Sequence, residues 1–341
     1  MKKLTQYIKT IPADLETPVG IYLKIRDLYP QSALLESSDY HTSQNSVSFV
    51  GVEPIASFRV VDEKVIMSYP GGEEVIKPIS GDVDVVTELK NYIRSFKIPS
   101  AREDLPDGFF GYTAYDAVRY FENVTIQPRE AKFDGIPDIC YMLYRYVIQV
   151  NHYRNEMTIV ENCPEGEASG IPGVISVLHN NNMAQYPFIA HDDLESSMSD
   201  DDFKEMVRKC VHHALRGDVF QIVPSRRFSQ GFSGDEFNVY RALRCINPSP
   251  YLFYFDFGSF RVFGSSPETH LRITGRTAYI DPIAGTFRRT GDDKRDRELA
   301  QALLADEKEN AEHIMLVDLA RNDLSRSGGK VSIDFLKQIQ Y

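Results

Sequence analysis

Tyr251-Leu-Phe-Tyr-Phe-Asp-Phe-Gly-Ser-Phe-Arg-Val-Phe-Gly264 decides the fold class. Two strand-forming aromatic runs flank Gly258-Ser259, and a two-residue Gly-containing spacer of this kind predicts a tight antiparallel hairpin. The run Tyr251 to Phe257 reads as sheet core rather than as a stacking platform. A second hairpin of the same design follows, with Leu271 to Thr274 and Thr277 to Asp281 joined by Gly275-Arg276. Upstream, Pro70-Gly71-Gly72 separates Val65-Ile-Met67 from Val75-Ile76, and Tyr141 to Val150 and Tyr153 to Val160 alternate around Asn151-His152. Both read as further hairpins.

Helical signals lie between these hairpins. Val85, Leu89, Tyr92, Ile93 and Phe96 recur at helical spacing over 84–97. Ser199 with Asp202 three residues on resembles a capping box, and Gly217 ends that helix. Its apolar stripe is Phe203, Met206, Val207, Cys210, Val211, Ala214 and Leu215. Two more helices are expected at 293–304 and 306–321. Hairpins with interspersed helices, in place of regular βαβ alternation, predict an α+β fold of large antiparallel sheets packed with outer helices. Short strands are expected at 47–51, 55–61 and 219–223, and a Ser-rich loop at 37–48. Gly108 to Asp116 reads as a strand leading into a helix. The chain turns polar with Pro and Gly from 161 to 173. The division expected is therefore 1–170, a connection at 171–197, and a second domain at 198–341.

Composition excludes several classes. A length of 341 residues suits two ordinary domains. A net charge of −11 with no Lys/Arg block argues against nucleic acid and anionic membrane as partners. No apolar run approaches membrane-spanning length. Cys140, Cys163, Cys210 and Cys245 lack Cys-x-x-Cys spacing, which fits reduced thiols and a cytoplasmic location. Neither a dinucleotide-type nor a P-loop glycine motif is present, which disfavours a nucleotide enzyme.

Chemistry concentrates between Asp281 and His313. Asp281-Pro-Ile-Ala-Gly-Thr286 closes on a Gly-Thr turn, and Glu309-Asn-Ala-Glu312-His313 opens a helix. Glu309 and Glu312 are three residues apart, so both project from one helix face. Alone, they would read as acids stabilising the helix N-terminus. The apolar run Ile314 to Ala320 predicts a buried helix, and carboxylates at its mouth need neutralising. Mg²⁺ is the usual partner for such oxygens.

Five motifs in fixed order carry a resemblance: Gln221-Ile-Val-Pro-Ser-Arg226, Ser266-Pro-Glu268, Pro282-Ile-Ala-Gly-Thr286, Glu309-x-x-Glu312-His313 and Asp318-Leu-Ala-Arg-Asn-Asp323. Together they resemble the chorismate-utilising enzymes, and within them anthranilate synthase component I. Leu34-Leu-Glu-Ser37, Gly51-x-x-Pro54 and Gly108-x-x-Gly111-Tyr-x-x-Tyr115-Asp116 extend the resemblance across nearly the whole chain. Water-using members resemble one another in carrying Lys where this chain has Gln221. A neutral amide is no general base for water, whereas ammonia is already nucleophilic. Aminodeoxychorismate synthases typically carry Pro-Ile-Lys-Gly-Thr, and here that position is Ala284. That synthase's component I is the alternative enzymatic reading.

The resemblance implies conversion of chorismate and ammonia to anthranilate and pyruvate, the ammonia coming from a glutamine amidotransferase subunit. It implies that Glu309 and Glu312 contribute to a Mg²⁺ site. Glu268 would protonate the departing C4 hydroxyl, which demands a raised pKa in an enclosed site. Thr286 and the backbone at Gly285 would hold substrate carboxylate, and Gln221 would face C2. L-tryptophan as feedback inhibitor would be bound by Glu36, Ser37, Asn247, Pro248, Tyr251, Leu252 and Phe253. Many regulated members have Met at the position of Leu252. The absence of Trp from the chain suits an enzyme of tryptophan synthesis. Family members continue beyond the position of Tyr341 with further catalytic and metal-binding motifs. The expectation is therefore a catalytic domain that is incomplete, with little activity from these residues alone. A non-catalytic tryptophan-binding fragment is the other alternative.

Overall fold

The strand Val47–Val61 is the spine of the computed structural model, which describes residues 2–37, 46–81, 83–98, 105–127, 135–180, 182–326 and 329–339. Its β-branched and aromatic residues suit a pleated surface buried on both faces, and Val50, Val52, Phe58 and Val60 are fully buried. Ile139–Asn151 lies antiparallel along its length, with a register shift between Pro54 and Ala56. Around this pair an eleven-stranded sheet runs in the order Arg261–Ser266, Tyr251–Asp256, Ala33–Ser37, Val47–Val61, Ile139–Asn151, Glu156–Pro164, Lys2–Pro12, Phe96–Lys97. Lys64–Ser68, Glu74–Pro78 and Phe110–Thr113 pair off this path. Every pairing is antiparallel except the short one between Lys2–Pro12 and Phe96–Lys97. The α+β class with large antiparallel sheets and outer helices therefore holds.

One sheet face is covered by helices Pro18–Ile25, Ile171–Leu178 and Phe237–Ile246. Their Ile21, Tyr22, Ile25, Val174, Leu178, Phe237 and Tyr240 pack with Val50, Val52 and Ile148. Each such large side chain contributes about 1.5–3 kcal/mol when fully buried. Helix Val85–Arg94, capped by Asp84, covers another part of the sheet through Val85 and Tyr92. A third cluster unites Cys140, Tyr144, Phe255 and Phe257, so the aromatic run after Tyr251 is sheet core. Burial pushes the Cys140 thiol up to about 12, as an inert core thiol requires.

Several expectations change. The two short strands at 47–51 and 55–61 are one strand, bent at the Pro54 irregularity. The hairpin placed on Asn151-His152 turns later, over 152–155, with Asn155 at φ 52°. The stretch 219–223 is not a strand: Phe220 and Val223 are 69% and 80% exposed, and no strand pairs with them among the described residues. Residues 161–164, read as the start of a polar connection, finish the strand Glu156–Pro164. Helices Asp200–Arg216 and Glu307–Arg326 form as expected, but neither has a buried residue. Ile314 is 46% exposed, so the buried reading of 314–320 fails. An apolar stripe specifies a face; it does not specify what covers that face. Both short hairpins are present, with Gly258 at φ 88° and Gly275 at φ 61° supplying the left-handed turn positions. Of the Ser-rich loop at 37–48, residues 38–45 lie outside the described residues.

Candidate functional site

A cleft of about 1720 Å³ joins the two groups of candidate residues. Glu36, Ser37, Pro248, Tyr251, Leu252 and Phe253 line it at one end, and Gly285, Thr286 and Glu309 at the other. Arg272, Tyr279 and Asp281 also line it.

The first end is built by strand pairing. Ala33–Ser37 and Tyr251–Asp256 are antiparallel neighbours, with Tyr251 opposite Ser37, Leu252 opposite Glu36 and Phe253 opposite Leu35. Segments more than two hundred residues apart in sequence thus become adjacent. Leu252 is buried, and its apolar side chain belongs to the core beneath the helices. Glu36 is only 6% exposed. Its carboxylate accepts from Tyr240 Oη at 2.6 Å and from Arg244 Nε at 3.0 and 3.1 Å. A buried carboxylate needs such partners to remain charged. Burial first, and Glu36 next, push the Tyr240 phenol far above its ordinary value. Asn247 ends helix Phe237–Ile246, and its carbonyl accepts from Ser265 Oγ at 2.7 Å. Asn247 is exposed and outside the cleft lining.

The second end rests on helix termini. Asp292 opens helix Asp293–Ala305 by accepting from the backbone of Lys294 and Arg295. Asp296, 5% exposed at its side chain, ties the preceding loop to that helix. It accepts from Thr290 N at 2.8 Å, Thr290 Oγ1 at 2.7 Å and Arg289 Nε at 3.3 Å. The bonds from Thr290, reinforced by Arg289, hold its carboxyl below the usual carboxylate range. Asp306 caps the next helix through Glu309 N at 3.0 Å. The result brings Glu309 over Gly285: a Cβ there would stand 2.9 Å from the Glu309 carboxyl carbon and closer still to Oε2.

The remaining candidates stand apart from this lining. Gln221 lies in an irregular, exposed segment, and Glu312 is exposed one turn beyond Glu309. Glu268 is also exposed, held only by backbone bonds between its own peptide and Ser266 Oγ. The enclosure expected around Glu268 is absent from the described residues. His313 bonds the Leu336 carbonyl at 2.8 Å, a structural contact to the backbone.

Among the described residues, no three His, Cys, Asp or Glu side chains converge as a metal cluster. Glu309 and Glu312 nevertheless offer two hard oxygen donors, with a bare glycine backbone beside the first. Mg²⁺ is commonly held by one or two carboxylates with substrate groups and water, so this donor set fits it. Arg272, Arg288, Arg289 and Arg321 also line the cleft; Arg272, Arg289 and Arg321 pair with Asp281, Asp296 and Asp318, so an anionic ligand would have to share or displace those carboxylates. Sequence reasoning quoted Arg321 within a motif but missed Arg272, Arg288 and Arg289, as it missed Tyr240 and Arg244.

Residues 31–340 match the chorismate binding enzyme family, and the chain belongs to that family, on its anthranilate synthase component 1 branch. Anthranilate synthase component 1 of Thermus thermophilus is 35% identical over 96% of this chain and 69% of its own length. That of Pseudomonas putida is 33% identical over 94% of this chain and 67% of its own. Among solved structures, anthranilate synthase component I from Streptococcus pneumoniae superposes with a TM-score of 0.66 at 26% identity, covering 93% of this chain and 68% of that one. The menaquinone-specific isochorismate synthase of Escherichia coli shares the fold, with a TM-score of 0.61 at 16% identity. The chain spans about two thirds of the length of these relatives. Among the described residues, no helix is long and apolar enough to cross a membrane.

Proposed function

We propose that this chain binds chorismate in the cleft and serves the lyase reaction of anthranilate synthase (EC 4.1.3.27). The reaction is chorismate plus ammonia to anthranilate, pyruvate and water. A glutamine amidotransferase subunit is the proposed source of ammonia. The observation that carries the reading is the meeting of Gly285 with Glu309 inside an Arg-lined cleft. A dianionic substrate fits arginines, a backbone amide and a threonine hydroxyl, but not bare carboxylates.

Roles follow from chemistry. Thr286 and the Gly285 backbone orient the ring carboxylate. Glu309 and Glu312 hold Mg²⁺, which when bound offsets the charge of substrate and protein carboxylates and acts as a Lewis acid. By resemblance to the family, Glu268 would donate a proton to the departing C4 hydroxyl and Gln221 would orient ammonia toward C2, although both stand outside the cleft lining. Elimination of pyruvate then leaves an aromatic ring. Tryptophan binding at Glu36, Ser37, Asn247, Pro248, Tyr251, Leu252 and Phe253 supplies feedback control, because all of these but Asn247 line the same cleft and they span two sequence segments. A cytoplasmic setting accords with thiols that form no disulfide.

Calorimetric titration with chorismate, with and without Mg²⁺, tests the central claim. Binding that strengthens with Mg²⁺ is expected. Chorismate binding indifferent to the ion, or none at all, would refute it, and para- instead of ortho-aminobenzoate as product would move the chain to aminodeoxychorismate synthesis.

A further inference from the structure

On the side of Val47–Val61, the strand bearing Glu36 and Ser37 loses its main-chain partner before it reaches them, while Tyr251–Asp256 still pairs with both on the other side. Its register with Val47–Val61 runs from Ala33 opposite Gly51 to Leu35 opposite Phe49. Beyond that, Ser37 N–H donates to a side chain, Ser48 Oγ, at 3.3 Å. Ser48 is fully buried, and its Oγ lies 2.7 Å from His152 Nε2. His152 stands in the turn after Ile139–Asn151, and its own N–H donates to the Ser46 carbonyl at 3.1 Å. A ring at one hairpin tip therefore supports the end of a neighbouring strand through one hydroxyl. Ser46 is 5% exposed, lines the cleft and has a buried Oγ with no hydrogen-bond partner.

We infer that His152 is a positioning residue for the amino-acid end of the cleft, fixing the Ser37 amide through Ser48 only while its imidazole is neutral. The inference rests on the proposed tryptophan site. Ser48 Oγ accepts from Ser37, and the Ser48 proton, buried with it, finds its acceptor at Nε2 when the ring is neutral and protonated on Nδ1. A protonated ring would donate instead and turn the Ser48 proton away within a fully buried site. Among the described residues, charged groups that act on the ring include Glu36 on the neighbouring strand and Arg244 on helix Phe237–Ile246. Burial lowers the His152 pKa, and Arg244 adds to this against the opposing pull of Glu36. The ring is thus neutral at pH 7 and takes up a proton only below its ordinary range, about 6.5. Losing the bond as pH falls should weaken ligand binding.

The test combines two readouts on the full chain. Tryptophan affinity is measured by calorimetry between pH 7.5 and 5, and exchange protection of the Ser37 amide by NMR, for wild type, His152→Ala and His152→Gln. The Gln carbonyl keeps the acceptor but cannot charge. Expected are weaker tryptophan binding by wild type at the acid end and a roughly tenfold loss in His152→Ala at pH 7.5, the scale of a buried group left unpaired. His152→Gln should bind near the wild-type level with no pH dependence over that window, and Ser37 protection should fall in His152→Ala at every pH and in wild type only at the acid end. Wild-type binding unchanged in His152→Ala would overturn this inference alone. A folded wild type that takes no tryptophan at any pH would overturn the site reading, and this inference with it.

Discussion

Replacing Gly285 by Ala separates the cleft's chemistry from its stability. The added Cβ would stand 2.9 Å from both Glu309 Cδ and Leu303 Cδ1. Carbon pairs rest at about 3.5–4.0 Å, so the Glu309 carboxyl must retreat by about 1 Å. Glu309 is the far end of a flexible side chain and can swing away, and Leu303 needs a similar yield. The φ of Gly285 is outside the left-handed range, so no backbone strain is added. The cost in folding stability should stay near 1 kcal/mol, within the range for modest overpacking. The functional cost should be larger, because a 1 Å misplacement of a catalytic group can reduce rate about a hundredfold. For a carboxylate proposed to hold Mg²⁺, we expect a tenfold or greater loss of Mg²⁺-dependent chorismate binding, read by calorimetry. Urea denaturation run in parallel should show a nearly unchanged midpoint. Full Mg²⁺ dependence in a folded Gly285→Ala chain would refute the placement of Glu309. A collapse of stability would show that the packing cannot yield as described.

Two other predictions concern buried charge. Arg244→Ala leaves Glu36 with Tyr240 as its remaining named partner, and should lower stability by about 2 kcal/mol. That lies below the usual 3–5 kcal/mol for such pairs, because the Arg244 side chain is 36% exposed; a urea midpoint within error of wild type would contradict it. Glu161 is fully buried, and although burial opposes ionisation, Ser169, the Gly170 N–H and Arg145 hold its carboxyl below the usual range. Its stabilisation is present above the unfolded value of about 4.3 and is lost as pH falls through the lower folded value. Glu161→Gln should therefore be less stable at neutral pH and lose less on acidification below about pH 4.5 than wild type; parallel acid limbs would exclude the carboxylate as their source.

The hairpins at 251–266 and 272–279 were legible because a Gly-containing two-residue spacer between strand formers has few other outcomes. The Ser199 cap and the Gly217 stop were legible for the same local reason, and Ser199 Oγ accepts from Asp202 N at 3.1 Å. Elements defined by distant partners were not. Lys2–Pro12 is mixed in polarity, and its order comes from Glu156–Pro164. Glu161 and Asn162 look like loop residues, yet each is buried and bonded, Asn162 to the Tyr144 carbonyl at 3.0 Å. Polarity marks solvent only where no partner waits inside. Conversely, Val219 to Val223 has strand composition but lacks an edge to join. At the site, motif order named Gly285 and Glu309 but not their meeting, which depends on two capped helices. It named Glu36 but not Tyr240 and Arg244, which a helix delivers from across the sheet.

Pairing Ala33–Ser37 with Tyr251–Asp256 also imposes an order of events on biosynthesis. The earlier strand leaves the ribosome about two hundred residues before its neighbour exists. At roughly 5–20 residues per second, that is a wait of about 10–40 seconds. Throughout it, Ala33-Leu-Leu offers an unpaired apolar edge to any other nascent chain. Rapid docking of Val47–Val61 on one side leaves the other still open. The growing polypeptide is therefore most vulnerable to aggregation during synthesis of its middle third, and holdase chaperones that bind extended apolar segments would act there.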